Sequence, residues 1–239
     1  MYNFSHWTEL PKVVCACCTY GRENLLPEAV QCFLDQDYAG EKHLVILNDQ
    51  PNIKYKFNHP EVTVINSDTR YKTIGEKRNG CSLAVDCDVI LPWDDDDLHM
   101  AWRISLTVER MKNKHYWKPN KMWHLGKDVP KYRTPILANA PSMAGFSKEI
   151  FLKAGKYNWM QAGEDGNLQE KIFRLGYKDV GHVTDEEVFY IYRTAEFNSF
   201  HLSVTKYEDI DKLVSKEVKE IEIIPHLKKD YLKFVKFRR

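Results

Sequence analysis

The sequence predicts an α/β protein built on a mostly parallel central sheet flanked by helices. Three observations carry that expectation. Short apolar runs alternate with helix-length amphipathic stretches through the first hundred residues. Strands alternating with helices argue for parallel pairing through helical crossovers. The chain has 239 residues and 43% hydrophobic content, enough for one large domain with a sizeable core. It shows no repeat and no low-complexity linker.

The elements follow in order. "KVVCACC" (12–18) is a strand, and "ENLLPEAVQCFLDQ" (23–36) places Leu26, Val30, Phe33 and Leu34 on one helical face. "KHLVILN" (42–48) and "VTVIN" (62–66) are strands. "TIGEKRNGCSLAVD" (73–86) reads as a helix that carries Gly75 and Gly80. "CDVILPW" (87–93) is a strand that delivers four consecutive aspartates. "LHMAWRISLTVERMKN" (98–113) reads as a helix, with Asp97 as its favoured N-cap. Further on, "TPILANA" (134–140) and "EEVFYIYR" (186–193) are strand candidates. "SKEIFLKAG" (147–155) and "EDGNLQEKIFRLG" (164–176) read as helices, each ending at glycine. After the 98–113 helix lies "HYWKPNKMWHLGK" (115–127), where aromatics interleave with Lys and His. That mixture suits stacking on sugars or bases, and equally core packing with snorkelling lysines.

Charge and cysteine usage narrow the classes. Lys+Arg number 35 against 34 Asp+Glu, so the global charge singles out neither nucleic acid nor a membrane surface. No apolar run has the roughly 18–20 residues of a membrane span, and the first residues lack a signal-peptide pattern. Cys15 and Cys18 have C-x-x-C spacing, but no second metal-spaced pair accompanies them. Reduced cysteines buried in a strand of a cytoplasmic protein are the better reading. The tail "HLKKDYLKFVKFRR" (226–239) has six Lys/Arg against one Asp. It offers an electrostatic footprint for DNA or for peripheral contact with anionic lipid.

The functional signal is "ILPWDDDDLHM" (90–100). Carboxylates crowded at a strand end raise one another's pKa or recruit a cation. Mg²⁺ or Mn²⁺ suits oxygen ligands and leaves positions for water or phosphate. A solvated acidic loop is the competing reading. An EF-hand fits poorly, because His99 falls where the loop needs glycine and Ser105 where it needs glutamate. A phosphatase nucleophile lacks a supporting lysine and threonine pattern. Ligands bind open α/β sheets beyond the carboxyl ends of the strands. The other strand ends, "CCTYGRE" (17–23) and "NDQP" (48–51), therefore belong to the same candidate site. Tyr20 can stack on a base, Asp49 can accept a base N–H or a ribose hydroxyl, and Arg70, Lys72, Lys77 and Arg78 can meet phosphates.

In order, "VVCACCTYGRENLLPEAVQCFLDQDY", "VILNDQP", "GEKRNGC", "VILPWDDDDL", "ANAPSMAGFSKEIFLKAGKYN" and "GEDGNLQEKIFRLG" resemble the GT-A glycosyltransferases of the family-2 type, over about residues 12–177. The resemblance implies a Rossmann-like sheet, an inverting transfer and a nucleotide-sugar donor, usually UDP-linked, held by Mn²⁺ or Mg²⁺. It implies one domain over 1–205, with a nucleotide-binding half at about 12–100 and an acceptor half at about 101–205, then a basic helical extension over 206–239. Thr19, Tyr20, Arg22, Asp49 and Arg78 match donor-binding positions. Asp96 matches the metal-binding aspartate, and Asp94 or Asp95 the residue reaching ribose or metal. Asp165 matches the catalytic base, with Glu164 the alternate, and His201 a third metal ligand. Asn48, Gln50-Pro51 and Gly21 depart from the family pattern and bear on donor identity. The acceptor is either a surface glycan or lipid-linked sugar, or a hydroxymethylated DNA base. A nucleotidyltransferase would want a glycine-rich, arginine-containing first loop, of which "TYGREN" is a poor version. A non-catalytic binding module on the same fold needs no carboxylate at Asp165.

Overall fold

Strand β1 (Val13–Thr19) lies in the middle of the larger sheet. The computed structural model describes residues 9–112, 114–126, 129–130, 135–194 and 217–231. Helix α1 (Leu26–Leu34) carries the chain to β2 (Lys42–Asn48), which pairs parallel with β1. A short β3 (Ile53–Lys56) precedes β4 (Val62–Asn66), which pairs parallel with β2. Helix α2 (Ile74–Ser82) then returns the chain to β5 (Val89–Pro92), parallel to β1 on its other side. The chain thus moves outward from β1 in one direction and then crosses to the opposite side. The carboxyl ends of β1 and β5 form a topological switch point, where such sheets hold ligands.

The second half adds smaller pieces. Strand β6 (Leu98–His99) and helix α3 (Arg103–Met111) precede β7 (Tyr116–Pro119) and β8 (Lys121–Gly126). Then come β9 (Val129–Pro130), β10 (Ile136–Leu137), a 3₁₀ turn (Pro141–Met143) and β11 (Gly145–Ser147). Helices α4 (Lys148–Lys153) and α5 (Glu164–Arg174), then β12 (Val180–Gly181), β13 (Tyr190–Thr194) and β14 (Lys219–Glu222) follow. The larger sheet has the order β12-β7-β11-β5-β1-β2-β4, in which β11 runs antiparallel to both neighbours. The smaller sheet is β10-β8-β13-β6, with β9 beside β8. Strand β14 pairs parallel with β3.

Alternation along β1 divides the core. Val13, Cys15 and Cys17 pack with α1 and α3, while Val14 and Ala16 pack with Cys81, Phe151, Leu168 and Ile172 on the other face. Cys15 and Cys18 therefore point to opposite sides of the sheet and share no metal or disulfide. All six cysteines are free. On α1, Leu26, Val30 and Phe33 are fully buried and Leu34 packs at the margin, as the periodicity requires. In the 115–127 stretch, Trp117 and Trp123 are core residues.

Two expectations are corrected. The helix read from Leu98 begins at Arg103, because Leu98 and His99 pair instead with Ile191 and Tyr190. Asp97 is consequently not an N-cap, and Trp102 holds that position. The C-terminal segment read as helical contains a strand, Lys219–Glu222, whose pairing with β3 the local sequence does not reveal.

Candidate active site

A cavity of about 340 Å³ opens at the switch point. Thr19, Tyr20 and Arg22 reach it from the end of β1, and Asp94 to Asp97 from the end of β5. Lys77 and Arg78 reach it from α2, and Glu164 and Asp165 from the first turn of α5. Gly163 caps α5 with φ +76°, a left-handed conformation that favours glycine. Gly75 permits a second close approach: a Cβ there would lie 1.8 Å from the Asn158 carbonyl oxygen. The start of α2 and the loop before α5 are thereby brought together, and the Gly75 N–H donates to the Met160 carbonyl at 3.2 Å.

Arginines resolve the aspartate crowding. Arg22 bridges Asp95 and Asp96, the latter at 3.0 Å. Arg78 bridges Asp94 at 3.1 Å and Glu164 at 2.9 Å. Asp97 accepts from the Tyr190 hydroxyl and from the Arg193 backbone N–H at 2.9 Å, which ties the loop to β13. Burial raises the Asp94 carboxyl, but Arg78, Arg103 and Arg22 together outweigh it and leave the group below its ordinary value. For Asp96, burial outweighs Arg22, and with Asp95 and Asp94 close by the carboxyl rises to about 7. Burial, with Asp96 and Asp94 close by, pushes Asp97 well above the usual carboxylate range. Glu164 is raised by burial against the pull of Arg78.

The two acidic residues of α5 differ. Glu164 is buried and committed to Arg78. Asp165 faces the cavity, accepts the Gly166 N–H at 2.6 Å and makes no ion pair among the described residues. Of the two, Asp165 is the carboxylate that faces the cavity without an arginine partner among the described residues.

Asp49 lies elsewhere than expected. It is buried outside the cavity lining, with one oxygen on Lys77 at 2.5 Å and the other on the Tyr71 N–H at 2.9 Å. Lys77 also donates to the Thr19 carbonyl at 2.7 Å, so this pair fixes the turn that carries Tyr20. Arg70 stacks over the Tyr20 ring at 4.5 Å. Lys72 is exposed, its backbone N–H on Glu76. His201 lies outside the described residues.

Several residues in or behind the cavity carried no sequence signal. Arg193 donates to the Asp96 carbonyl and, at 2.6 Å, to fully buried Glu28. Glu28 also accepts from the Tyr231 hydroxyl at 2.7 Å and the Lys228 N–H at 3.0 Å. Burial raises Glu28, but Arg193 and these hydrogen bonds outweigh it and hold the carboxyl below its ordinary value. Buried Arg103 donates to the Ser142 carbonyl at 2.9 Å and to the Pro92 carbonyl, joining the two sides of the cavity floor. The one available clue was that "YIYR" ends a strand, as the aspartates do.

Among the described residues, no group of three or more His, Cys, Asp or Glu is arranged as a metal cage. The donor set still fits a hard cation. Asp94, Asp95 and Asp96 offer carboxylate oxygens, and Asp95 Oδ2 is buried with no hydrogen-bond partner. Mg²⁺ and Mn²⁺ bind through one or two carboxylates when water and phosphate complete the shell.

The sheet order and the site at its switch point define the class: this is a GT-A fold. Solved structures with the same fold include S. aureus TarS 1-349, at a TM-score of 0.59 and 13% identity, matching 76% of this chain and 60% of that one. TarS 1-349 in complex with UDP-GlcNAc matches at 0.59 and 14% identity, over 77% of this chain and 59% of that one. The mannosyltransferase PcManGT from Pyrobaculum calidifontis, in complex with GDP-Man and Mn²⁺, matches at 0.58 and 16% identity, over 77% and 57%. The aligned region thus spans about three fifths of these proteins. No protein-family model and no curated protein matches the chain.

Proposed function

We propose that the protein is an inverting glycosyltransferase that moves a sugar from a nucleotide-sugar to an acceptor hydroxyl. The observation that carries this reading is the meeting, in one cavity, of the β5 aspartates with the unpaired carboxylate of Asp165. The structural neighbours bound to UDP-GlcNAc and to GDP-Man with Mn²⁺ support it. Residues about 12–100 form the donor half, and 101–205 the acceptor half. A UDP-sugar donor and a cytoplasmic setting complete the proposal, with the basic C-terminus available for peripheral membrane contact.

Tyr20 offers its ring to the base, and Asp94 or Asp95 a carboxylate to the ribose. Asp96, with Asp94, would hold Mn²⁺ or Mg²⁺, which when bound neutralises charge on the leaving diphosphate. Arg22 and Arg78 stand beside the same aspartates and can turn toward phosphate oxygens. Asp165 takes the acceptor hydroxyl proton as that oxygen attacks the anomeric carbon. The bond to the diphosphate oxygen breaks, the electron pair leaves with the nucleoside diphosphate, and configuration inverts. General-base assistance of this kind is worth about 10²–10⁴-fold.

The test is a panel of nucleotide sugars with Mn²⁺, reading released nucleotide and transfer to glycan, lipid-linked sugar or hydroxymethylated DNA. Asp96→Ala and Asp165→Asn are each expected to abolish transfer, with donor binding weakened only in the first. Full turnover by Asp165→Asn would remove it as the base, and silence with every donor would end the reading.

A further inference from the structure

We propose that the acceptor side of this cavity binds an uncharged carbohydrate, with Trp159 as its outer stacking platform. The proposal rests on the transferase reading above for its biological meaning, but it is tested by binding alone.

Trp159 is 68% exposed, whereas Trp93, Trp117 and Trp123 are buried and Trp102 is half-buried. A lone exposed apolar side chain needs no explanation by itself. This one is distinguished by how firmly its loop is held and by where the loop leads. The Asn79 side chain clamps Tyr157 from both sides, donating to its carbonyl at 2.9 Å and accepting its N–H at 3.0 Å. Lys171 donates to the Asn158 side chain at 3.0 Å, and Gly75 closes on the Asn158–Met160 backbone. The indole is therefore presented on a fixed loop. Gln161, two residues on, lines the cavity, so the Trp159 backbone lies within about 7 Å of a lining residue. Met160 is 37% exposed beside it.

The cavity lining also carries Met122 from β8 and Tyr192 from β13, the latter packed on the His124 ring at 5.4 Å. Ser142 and Gln161 add polar groups between the apolar surfaces. A pyranose has the matching character, with C–H faces that stack on aromatic rings and hydroxyl edges that hydrogen-bond.

Charge chooses between sugar and nucleic acid. The cavity lining carries six carboxylates, Asp94 to Asp97, Glu164 and Asp165, against four cations, one of which, Arg193, is turned to Glu28 and the Asp96 carbonyl. The Lys171 ammonium at the base of the loop is held by the Lys156 carbonyl and Asn158. The other three cations of the cavity, Arg22, Lys77 and Arg78, are each in ion pairs, Arg78 with Glu164 itself. Nucleic-acid binding draws on phosphate neutralisation by cations, and each cation of this lining is already paired with a carboxylate.

Tryptophan emission of the full chain, with and without UDP, would be titrated with neutral hexose and N-acetylhexosamine mono- and disaccharides. Duplex and single-stranded DNA would be titrated in parallel. The expected result is saturable binding of at least one neutral saccharide, insensitive to salt and at least about tenfold weaker in Trp159→Ala at unchanged melting temperature. Binding by no saccharide in the panel, equal binding by Trp159→Ala, or steeply salt-dependent DNA binding in place of saccharide binding would each overturn the proposal. Nucleotide release separates the two readings. Turnover without saccharide binding sinks this proposal alone, and saccharide binding without turnover of any donor sinks the transferase alone.

Discussion

Two arginines reach the same aspartate run from opposite sides, and they do different work. Arg22 pairs with Asp95 and Asp96 at the cavity wall, where Arg22 and Asp96 are 18% and 19% exposed. Arg193 pairs with Glu28 behind that wall, where the two are 2% and 0% exposed. The Arg22–Asp96 contact borders the cavity, and under the proposed function it is exchanged for a ligand's phosphates. The second is closed and is shared with Tyr231 and the Lys228 N–H, so it has no freedom to exchange. One guanidinium–carboxylate chemistry thus yields a binding surface or a fastening, according to its access to water.

The largest expected effect comes from opening the fastening. Glu28→Ala strands the Arg193 guanidinium in the interior and is expected to lower stability by about 3–5 kcal/mol, read by denaturant unfolding. A loss no larger than that of a surface pair would break the comparison. Its pH dependence sharpens it. The folded-state carboxyl of Glu28 lies below the ordinary 4.5, so its contribution is complete above that value and fades as pH falls through the lower, folded one. Glu28→Gln should therefore differ most from the parent protein near neutrality, with the gap closing in acid.

At the accessible cluster the pattern should reverse. Asp96→Asn is expected to reduce transfer by about 10²–10³-fold while moving stability by about 0.5 kcal/mol or less. Comparable losses in both assays would mean that the two clusters are one structural unit. Tyr231→Phe keeps the ring and removes one hydrogen bond to a charged group, for an expected loss of about 1.5–3 kcal/mol. The smallest effect is expected from Lys56→Ala, whose partner Glu220 lies on the same C-terminal strand as an exposed ion pair. A change beyond about 1 kcal/mol in its melting transition would show that exposure is the wrong criterion.

The buried strands were the most legible part of the fold. The runs 42–48 and 62–66 coincide with β2 and β4, and 12–18 is displaced by one residue from β1. Their apolar runs are set by a sheet covered on both faces. Leu98–His99 was misread because its pairing partners, Ile191 and Tyr190, are some ninety residues away, while the local pattern suits a helix. In the site, the strand-end aspartates, Arg78 and the Glu164–Asp165 pair were legible from the order of the elements. Arg193 and Glu28 were not, because a buried ion pair across 165 residues leaves no local trace. Asp49 was legible as a strand-end carboxylate but not as the partner of Lys77, which keeps it out of the cavity.

The hydrogen bond from Tyr231 to Glu28 spans 203 residues. On the ribosome, the β1–α1–β2 unit can assemble as it emerges, because its contacts are local in sequence. The support beneath the aspartate loop must wait until Tyr231 has left the exit tunnel. A nascent chain that has not yet released Tyr231 therefore carries paired strands and an aspartate loop whose support lacks this hydrogen bond.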